Sequence, residues 1–386
     1  MTPAANGTRT KRPLEVAIVA VHVRQGDSGS NEPYVTGLLR GLAATDPSLA
    51  RFTVHATKWL GTWPEHGPTT SFVFHRVPGL GHSYASYGLR VLQEWQVAIR
   101  THADVLLFAG TSGAPLARCP QVAVVHWDNR LQPHSAPFLR SLGNSAMMRI
   151  IRSRSARVIV PTASYADFLA RAWGFDRRKL VPIHHGVDIP PSMQRRGGRG
   201  ANAIAVLNDL PHKNLPVLLR AFGLVLAGSR DPICLTLVGK ISTAALDTVG
   251  VPWRDWESDS RLVRTAWLSH PEVLDLVASA EMLVSPSEGE TFCMPLVEAM
   301  AVGTPVVTAD TPVAREVCGD AAVYAELRSA RALADAILRV HDDSVLQAQM
   351  SDAGLQRAVR LTWDNAAREV VDLLLDVCGP LGRVSP

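Results

Sequence analysis

The chain has 386 residues, of which 47% are hydrophobic and 19% charged, and its formal net charge is +4. This length suits two domains, and the composition is that of a globular protein with a large core. The mild charge and the lack of a basic run with interleaved aromatic residues argue against a nucleic-acid partner and suit an anionic substrate.

The five cysteines are far apart and form no CxxC pair, which argues against a disulfide framework or a zinc site. Reduced thiols in a cytoplasmic protein are therefore expected. No apolar stretch has the roughly 18 residues of a transmembrane helix. After an N-terminal tail, 1–13, the first apolar run begins at Val16. Glu15 precedes it and no small-residue cleavage site follows, so it predicts a β-strand rather than a signal peptide.

Short apolar runs rich in Val and Ile alternate with helical patterns along the chain. The runs are 16–21, 104–109, 122–127, 157–162, 203–207, 233–239 and 305–310, and helical patterns lie at 34–43 and 217–227. The alternation predicts parallel βαβ units, and the continuous apolarity predicts strands buried on both faces. Residues 190–202, rich in Gly, Pro and Arg, have no apolar periodicity and predict a linker.

We therefore predict an α/β protein with two doubly wound, Rossmann-like domains, 14–189 and 203–362, that face each other across a cleft. The C-terminal segment, 363–386, contains a helical pattern that we expect to cross back to the N-terminal domain. Ligands of open α/β sheets bind beyond the carboxyl ends of the strands. His126, at the end of the run 122–127, is a candidate on this ground, with a hydrogen-bonded core histidine as the alternative.

Lys213 and Asn214 lie between the run 203–207 and a helical pattern whose first turn contains Pro216. An ammonium group beside a helix N-terminus is a suitable site for phosphate. The alternative is an ordinary surface lysine.

The most informative segment is 285–307, SPSEGETFCMPLVEAMAVGTPVV. Pro295 and Gly303 predict the start and end of a short helix. Glu290 precedes this helix and Glu298 lies on it. Two carboxylates beside a helix N-terminus suit a ligand that carries both hydroxyl groups and negative charge, because ionised carboxylates only accept hydrogen bonds.

This segment resembles the E-x7-E region of glycosyltransferase family 4, a family of retaining GT-B enzymes that use nucleotide sugars. The resemblance implies that Glu290 holds donor-sugar hydroxyls and Glu298 the ribose, with Thr291, Phe292, Cys293 and Met294 lining the donor site. The family usually has glycines where this chain has Thr291 and Cys293.

Other motifs follow the family in the same order. Lys213 matches the lysine that neutralises the donor diphosphate, and Asn208 stands where an arginine is usual. His126 matches a histidine near the donor sugar, and Gly29 and Ser30 match a glycine pair in the phosphate or acceptor loop. The segment 157–188 and the residue Trp363 also match, with His185 in place of the usual asparagine.

The resemblance implies a hexosyltransferase with Glu290, His126 and Lys213 as catalytic residues. A nucleotide diphosphate sugar is the donor substrate, a carbohydrate or small molecule is the acceptor, and no cofactor is needed. No metal is expected either, since no DxD motif follows an apolar strand. Two alternatives remain open: an epimerase-like enzyme of the GT-B fold, and a non-catalytic sugar-nucleotide binding protein.

The segment 138–157 combines five arginines with Met147, Met148, Ile150 and Ile151. It predicts either a buried crossover helix with a solvated basic edge, which we favour, or a weak peripheral contact with the inner face of the membrane. The sequence does not indicate the oligomeric state.

Overall fold

The computed structural model describes residues 12–21, 31–57, 72–77, 84–126, 138–188, 202–229, 231–265 and 268–379. Within these ranges the chain forms two separate parallel sheets. Gly29, Ser30 and the linker residues 190–201 lie outside the described residues.

The N-terminal sheet has seven described strands, β1 (Leu14–Ala20), β2 (Ala50–Thr57), β3 (Phe72–Val77), β4 (Val105–Phe108), β5 (Gln121–Val124), β6 (Arg157–Val160) and β7 (Leu180–Pro182). Its helices are α1 (Asn31–Ala43), α2 (Tyr84–Arg100), α3 (Phe138–Arg154) and α4 (Ala163–Trp173). The spatial order of the strands is β3-β2-β1-β4-β5-β6-β7. The order reverses between β1 and β4, which is where such sheets leave a crevice for ligands.

The second sheet has six described strands, β8 (Asn202–Val206), β9 (Cys234–Val238), β10 (Leu262–Arg264), β11 (Met282–Ser285), β12 (Val306–Ala309) and β13 (Ala322–Ala325). Its helices are α5 (Leu215–Gly228), α6 (Thr243–Asp247), α7 (Trp253–Ser258), α8 (His270–Ser279), α9 (Met294–Ala301), α10 (Pro312–Cys318), α11 (Ala330–His341) and α12 (Ser344–Ala358). The strand order is β10-β9-β8-β11-β12-β13, so the reversal falls between β8 and β11.

Both sheets are buried on both faces. Along β1, Val16 and Ile18 belong to one core cluster and Ala17 and Val19 to another, on the opposite face. The second sheet likewise separates two clusters. This confirms the predicted class, a doubly wound α/β fold in two Rossmann-like units.

The last helix, α13 (Trp363–Cys378), packs against α1 of the N-terminal sheet and shares its core cluster. Two glycines of α1, Gly37 and Gly41, permit the close approach, because a Cβ atom on either would overlap Trp363. Gly186 lies against the backbone of Thr362 and Trp363 in the same way. The C-terminal segment therefore contacts both α1 and the residues that follow β7.

Helix α3 directs part of its apolar surface into the core, although Leu142 is 52% exposed. Met147, Met148 and Ile151 are buried, whereas Arg149 and Arg154 are exposed. This arrangement is the buried crossover helix with a basic edge. None of the described helices has the length and apolar character that crossing a bilayer requires.

Most element boundaries differ from the sequence prediction by one to three residues, and three of the differences bear on the site or the domain boundary. The first strand begins at Leu14 rather than Val16, and the run 122–127 contains only the strand Gln121–Val124, so His126 follows the strand. Asn202, predicted as linker, is the first residue of β8 and pairs with Cys234. Its side chain accepts a hydrogen bond from Thr236 at 2.9 Å, so a polar residue occupies a strand position that apolarity does not reveal.

Candidate active site

Two loops meet where the strand order of the second sheet reverses. One follows β8 and ends in a 3-10 turn, Pro211–Lys213, and the other, residues 286–293, joins β11 to α9 and is called the acidic loop here. The amide of Glu288 donates to the carbonyl of His212 at 2.9 Å. The side-chain amide of Asn214, whose φ is 52°, donates to the carbonyl of Pro286 at 3.0 Å. These bonds hold Lys213 beside the acidic loop.

Lys213 and Glu290 form an ion pair at this junction. Nζ lies 2.5 Å from Oε1, and the side chains are 17% and 18% exposed. Burial raises the pKa of Glu290, but the charge and hydrogen bond of Lys213 outweigh burial and bring the pKa below its ordinary value. Burial lowers the pKa of Lys213, but Glu290 reverses this and the pKa lies above its ordinary value. Both groups are therefore charged at neutral pH.

Cys293 ends the acidic loop with a φ of 69°, and α9 begins at the next residue. This left-handed conformation favours glycine, which explains physically why glycine is usual at this position in the family that the sequence resembles. Burial and the nearby Glu290 raise the pKa of the Cys293 thiol to about 12. The thiol is therefore neutral at pH 7 and is no nucleophile.

The second carboxylate, Glu298, lies on α9 and is 6% exposed. Its Oε1 atom is 2.7 Å from Nε2 of His270, the first residue of α8. The hydrogen bond to Glu298 raises the pKa of His270 above its ordinary value. A carboxylate accepts several hydrogen bonds at once, so Glu298 retains capacity for a ligand hydroxyl. Sequence reasoning did not identify His270, although Ser269, Pro271 and Glu272 around it are signals of a helix start.

Asn208 shapes the loop that carries Lys213. Its side-chain oxygen accepts from the amide of Leu210 at 3.2 Å, closing a local turn of the kind that Asn favours. A carboxamide supplies no positive charge at this position. Arg328, which follows β13, pairs with Glu288 of the acidic loop at 2.5 Å. It therefore brings a cation to the edge of the second sheet where the acidic loop lies.

The N-terminal domain meets the acidic loop through the aromatic cluster, which consists of Tyr34, His126, His185, Phe292 and Trp363. His126 is buried, and its Nδ1 atom lies 3.4 Å from Nε2 of His185. The ring of Tyr34 packs edge-on against His126 at a centroid distance of 4.0 Å. The ring of His185 in turn lies 4.7 Å from that of Phe292. His126 therefore reaches the acidic loop through His185, whose pKa is held well below its ordinary value by burial and by His126.

Polar contacts also join the domains beside the site. Thr162 donates from Oγ1 to the carbonyl of Thr291 at 3.0 Å. Glu316 of α10 accepts from the amides of Ala163 and Ser164 at 2.6 and 2.9 Å. Sequence reasoning selected neither Thr162 nor Glu316. The threonine could have been found, since a Thr between a strand and a helix is a frequent N-cap, but no local pattern marks the glutamate.

Among the described residues, no group of three or more His, Cys, Asp or Glu side chains is arranged to hold a metal ion. Positive charge at this site comes from the Lys213 ammonium and from the partial charge at the N-terminus of α9. Together with the two carboxylates, these groups suit a ligand that carries both phosphate and hydroxyl groups.

Two models of known protein families match the chain, one in each domain. The model described as Glycosyltransferase Family 4 matches residues 32–189, and the model described as Glycosyl transferases group 1 matches residues 202–343. Together they cover most of both domains, and the protein is a glycosyltransferase. The chain belongs to glycosyltransferase family 4.

Among curated relatives, the chain is 27% identical over 430 residues to D-inositol 3-phosphate glycosyltransferase 1 of Catenulispora acidiphila, covering 97% of each protein. It is 28% identical over 288 residues to O-antigen chain mannosyltransferase B of Escherichia coli, covering 71% of this chain and 69% of the relative.

Solved structures share the fold at lower identity. A sucrose-phosphate synthase from Thermosynechococcus elongatus aligns with a TM-score of 0.71 at 15% identity, covering 94% of this chain and 99% of that one. HepE of Anabaena, in complex with UDP and glucose, aligns with a TM-score of 0.69 at 16% identity, covering 94% and 100%. The architecture is therefore GT-B, as predicted.

Proposed function

We propose that this chain transfers a hexose from a nucleotide diphosphate sugar to a hydroxyl group of a sugar-like or small-molecule acceptor, with retention of anomeric configuration. The observation that carries the proposal is the Lys213–Glu290 ion pair. It lies where the strand order of the second sheet reverses, and its Glu290 belongs to the acidic loop that leads into α9.

The ion pair suits a donor because each partner recognises a different part of it. The diphosphate attracts the Lys213 ammonium, and the sugar hydroxyls donate to the Glu290 carboxylate. Each charge therefore keeps a partner both before and after the donor binds, which avoids the cost of an uncompensated half-buried charge. As the glycosidic bond breaks, negative charge grows on the leaving phosphate, and Lys213 and the first amides of α9 stabilise it.

The remaining predicted residues surround this centre in the proposal. Glu298, oriented by His270, accepts from the ribose hydroxyls. His126 lies near the donor sugar and is joined to the acidic loop by the aromatic cluster. Asn208 shapes the loop that carries Lys213. The donor site is lined by Thr291, Phe292 and Cys293 of the acidic loop and by Met294, the first residue of α9. Gly29 and Ser30 remain a prediction for the phosphate or acceptor loop.

The names of the relatives suggest the acceptor class. Because one acts on D-inositol 3-phosphate and another extends an O-antigen chain, we propose a hydroxyl-rich acceptor, either a phosphorylated cyclitol or a glycan. We also propose a cytoplasmic enzyme without membrane contact. The five cysteines are free thiols, which fits a reducing compartment, and Met147, Met148 and Ile151 of α3 are buried in the core.

A donor screen tests the function. The purified chain is incubated with UDP- and GDP-sugars, alone and with inositol 3-phosphate or simple glycosides, and products are read by NMR. We expect acceptor-dependent transfer, with the anomeric configuration of the donor retained in the product. Epimerised donor without acceptor would support the epimerase-like alternative. Donor binding without turnover on any acceptor would support a non-catalytic binding protein, and an inverted product would contradict retention.

Metal independence is a further expected outcome. Because Lys213 and the helix N-terminus meet the charge of the leaving diphosphate, we expect transfer rates to be unchanged after dialysis against EDTA. Loss of activity that Mn²⁺ or Mg²⁺ restores would show that a cation supplies this charge instead.

A further inference from the structure

Glu316 forms a cap across the domain boundary. It belongs to α10 of the C-terminal domain, and its carboxylate accepts from the amides of Ala163 and Ser164 at 2.6 and 2.9 Å, at the start of α4 in the N-terminal domain. It also accepts from Oγ of Ser164 at 2.8 Å and pairs with Nε2 of His184 at 3.2 Å. The first amides of a helix have no hydrogen-bond partner within it and carry partial positive charge. The Glu316 carboxylate accepts hydrogen bonds from two of these amides and supplies the opposite charge.

Thr162 connects this cap to the active site. It is the N-cap residue of α4 and is fully buried. Its hydroxyl accepts from the amide of Tyr165 at 3.1 Å and donates to the carbonyl of Thr291 at 3.0 Å. One side chain therefore orders the start of α4 and holds the residue next to Glu290 in the acidic loop.

We propose that Glu316 and Thr162 are positioning residues that together form an interdomain latch, which fixes the acidic loop against the N-terminal domain. This inference rests on the proposed function, since it gives the latch a task in transfer. The donor sugar is held by the acidic loop and the acceptor by the N-terminal domain, so the latch sets the distance between the two reacting partners.

The contacts predict which kinetic constant depends on the latch. The nucleotide is recognised by Lys213, Glu298 and the N-terminus of α9, all in the C-terminal domain and outside the latch. Opening the latch therefore leaves nucleotide binding intact but separates donor sugar from acceptor. Errors in the placement of reacting groups appear in kcat, because correct orientation lowers the barrier of the chemical step.

The test uses Glu316→Gln and Thr162→Val, with Thr162→Ser as the conservative variant that keeps the hydroxyl. We expect kcat to fall by about tenfold or more in the first two, since a hydrogen bond to a charged or buried group is lost. The Kd of free nucleotide diphosphate, measured by calorimetry, is expected to stay within about twofold, and Thr162→Ser is expected to restore most of kcat. Asp343→Ala is the matched control, because Asp343 caps α12 within one domain and its loss lowers stability without touching the latch.

Small-angle scattering provides a second readout, in which Glu316→Gln is expected to increase the radius of gyration. An unchanged kcat in both latch variants, or a fall in kcat that the Asp343→Ala control shares, would overturn the proposal. If the wild-type chain turns over no donor, the proposed function fails, but scattering still tests whether the latch exists. An unchanged radius of gyration in both variants overturns the latch, and an increase in both supports it.

Discussion

At the residue scale, the two carboxylates of the site have different partners and therefore different expected roles. Glu290 pairs with Lys213 and Glu298 with His270. Contacts near the breaking bond can strengthen in the transition state, whereas remote contacts bind ground and transition states alike. We expect Glu290→Gln to lower kcat mainly and Glu298→Gln to raise the KM for donor mainly.

Calorimetry with free nucleotide diphosphate separates the two glutamates further, because this ligand has a ribose but no sugar. Glu298→Gln is expected to weaken its binding, and Glu290→Gln to change it little. Equal weakening by both substitutions would contradict the assignment of the two carboxylates, even if the enzyme class is correct.

We expect the Lys213 ammonium to supply the main positive charge of the proposed phosphate site. A hydrogen bond to a charged group contributes about 1.5–3 kcal/mol, so Lys213→Ala is expected to lower kcat/KM by about tenfold or more. The substitution also removes the main partner of Glu290, so a lower urea midpoint is expected. Lys179→Ala is a suitable control, because that lysine donates to the carbonyl of Ser155 in the N-terminal domain. Unchanged kcat/KM and donor affinity in Lys213→Ala would place the phosphate site elsewhere.

At the scale of elements, the contact between α1 and α13 depends on residues without side chains. A Cβ atom at Gly41 would overlap the backbone of Trp363, so Gly41→Ala must push the helices apart. We expect it to lower the free energy of unfolding by about 1–3 kcal/mol, as overpacking usually does.

Gly143 of α3 is the matched control, because no atom of the described residues lies within 4 Å of a Cβ placed there. Gly143→Ala is expected to be neutral or to stabilise by up to about 1 kcal/mol, since alanine favours helix interiors. Urea unfolding of both variants provides the comparison. Equal effects at the two glycines would show that α13 does not pack tightly on α1.

The short helix α9 was recognisable from sequence because its signals are local. Pro295 in the first turn and Gly303 after the last residue mark its bounds. The same reasoning located α5 through Pro216. Strand ends that are defined by backbone pairing with a neighbouring strand were harder to predict from sequence, as Asn202 illustrates.

At the scale of the whole molecule, we expect the proposed latch to make the free energy of unfolding depend on pH. Burial raises the pKa of Glu316, but hydrogen bonds from His184 and from the amides of Ser164 and Ala163 outweigh it and bring the pKa from 4.5 to about 2. A carboxyl group with a depressed pKa stabilises the folded state fully above its unfolded pKa. That contribution, at most about 3 kcal/mol, is lost as the pH falls from about 4.5 to about 2.

We therefore expect Glu316→Gln to be less stable than the wild type at pH 6 and the difference to shrink steadily below about pH 4.5. Urea unfolding at several pH values measures this difference. A constant difference from pH 6 down to pH 2.5 would show that the Glu316 charge does not contribute to the interdomain contact.

The sequence alone determined the fold class, the order of the motifs and the family. Strands of a parallel sheet that are buried on both faces are continuous apolar runs, and prolines and glycines mark helix ends within a few residues. The candidate residues Lys213, Glu290 and Glu298 were likewise predictable. Lys213 and Glu290 stand shortly before a helix start, and Glu298 lies on the helix within the same motif as Glu290.

Only the tertiary structure decided which of these residues meet. Lys213 and Glu290 are 77 positions apart along the chain, and Glu316 and Ala163 are 153 apart. The first pair arises because the parallel strands of one sheet bring their carboxyl ends to the same edge. The second arises because residues of the two domains meet beside that edge. No local pattern encodes such a contact, so the pairing of His270 with Glu298, of Thr162 with Thr291 and of Glu316 with Ala163 became visible only in the tertiary structure.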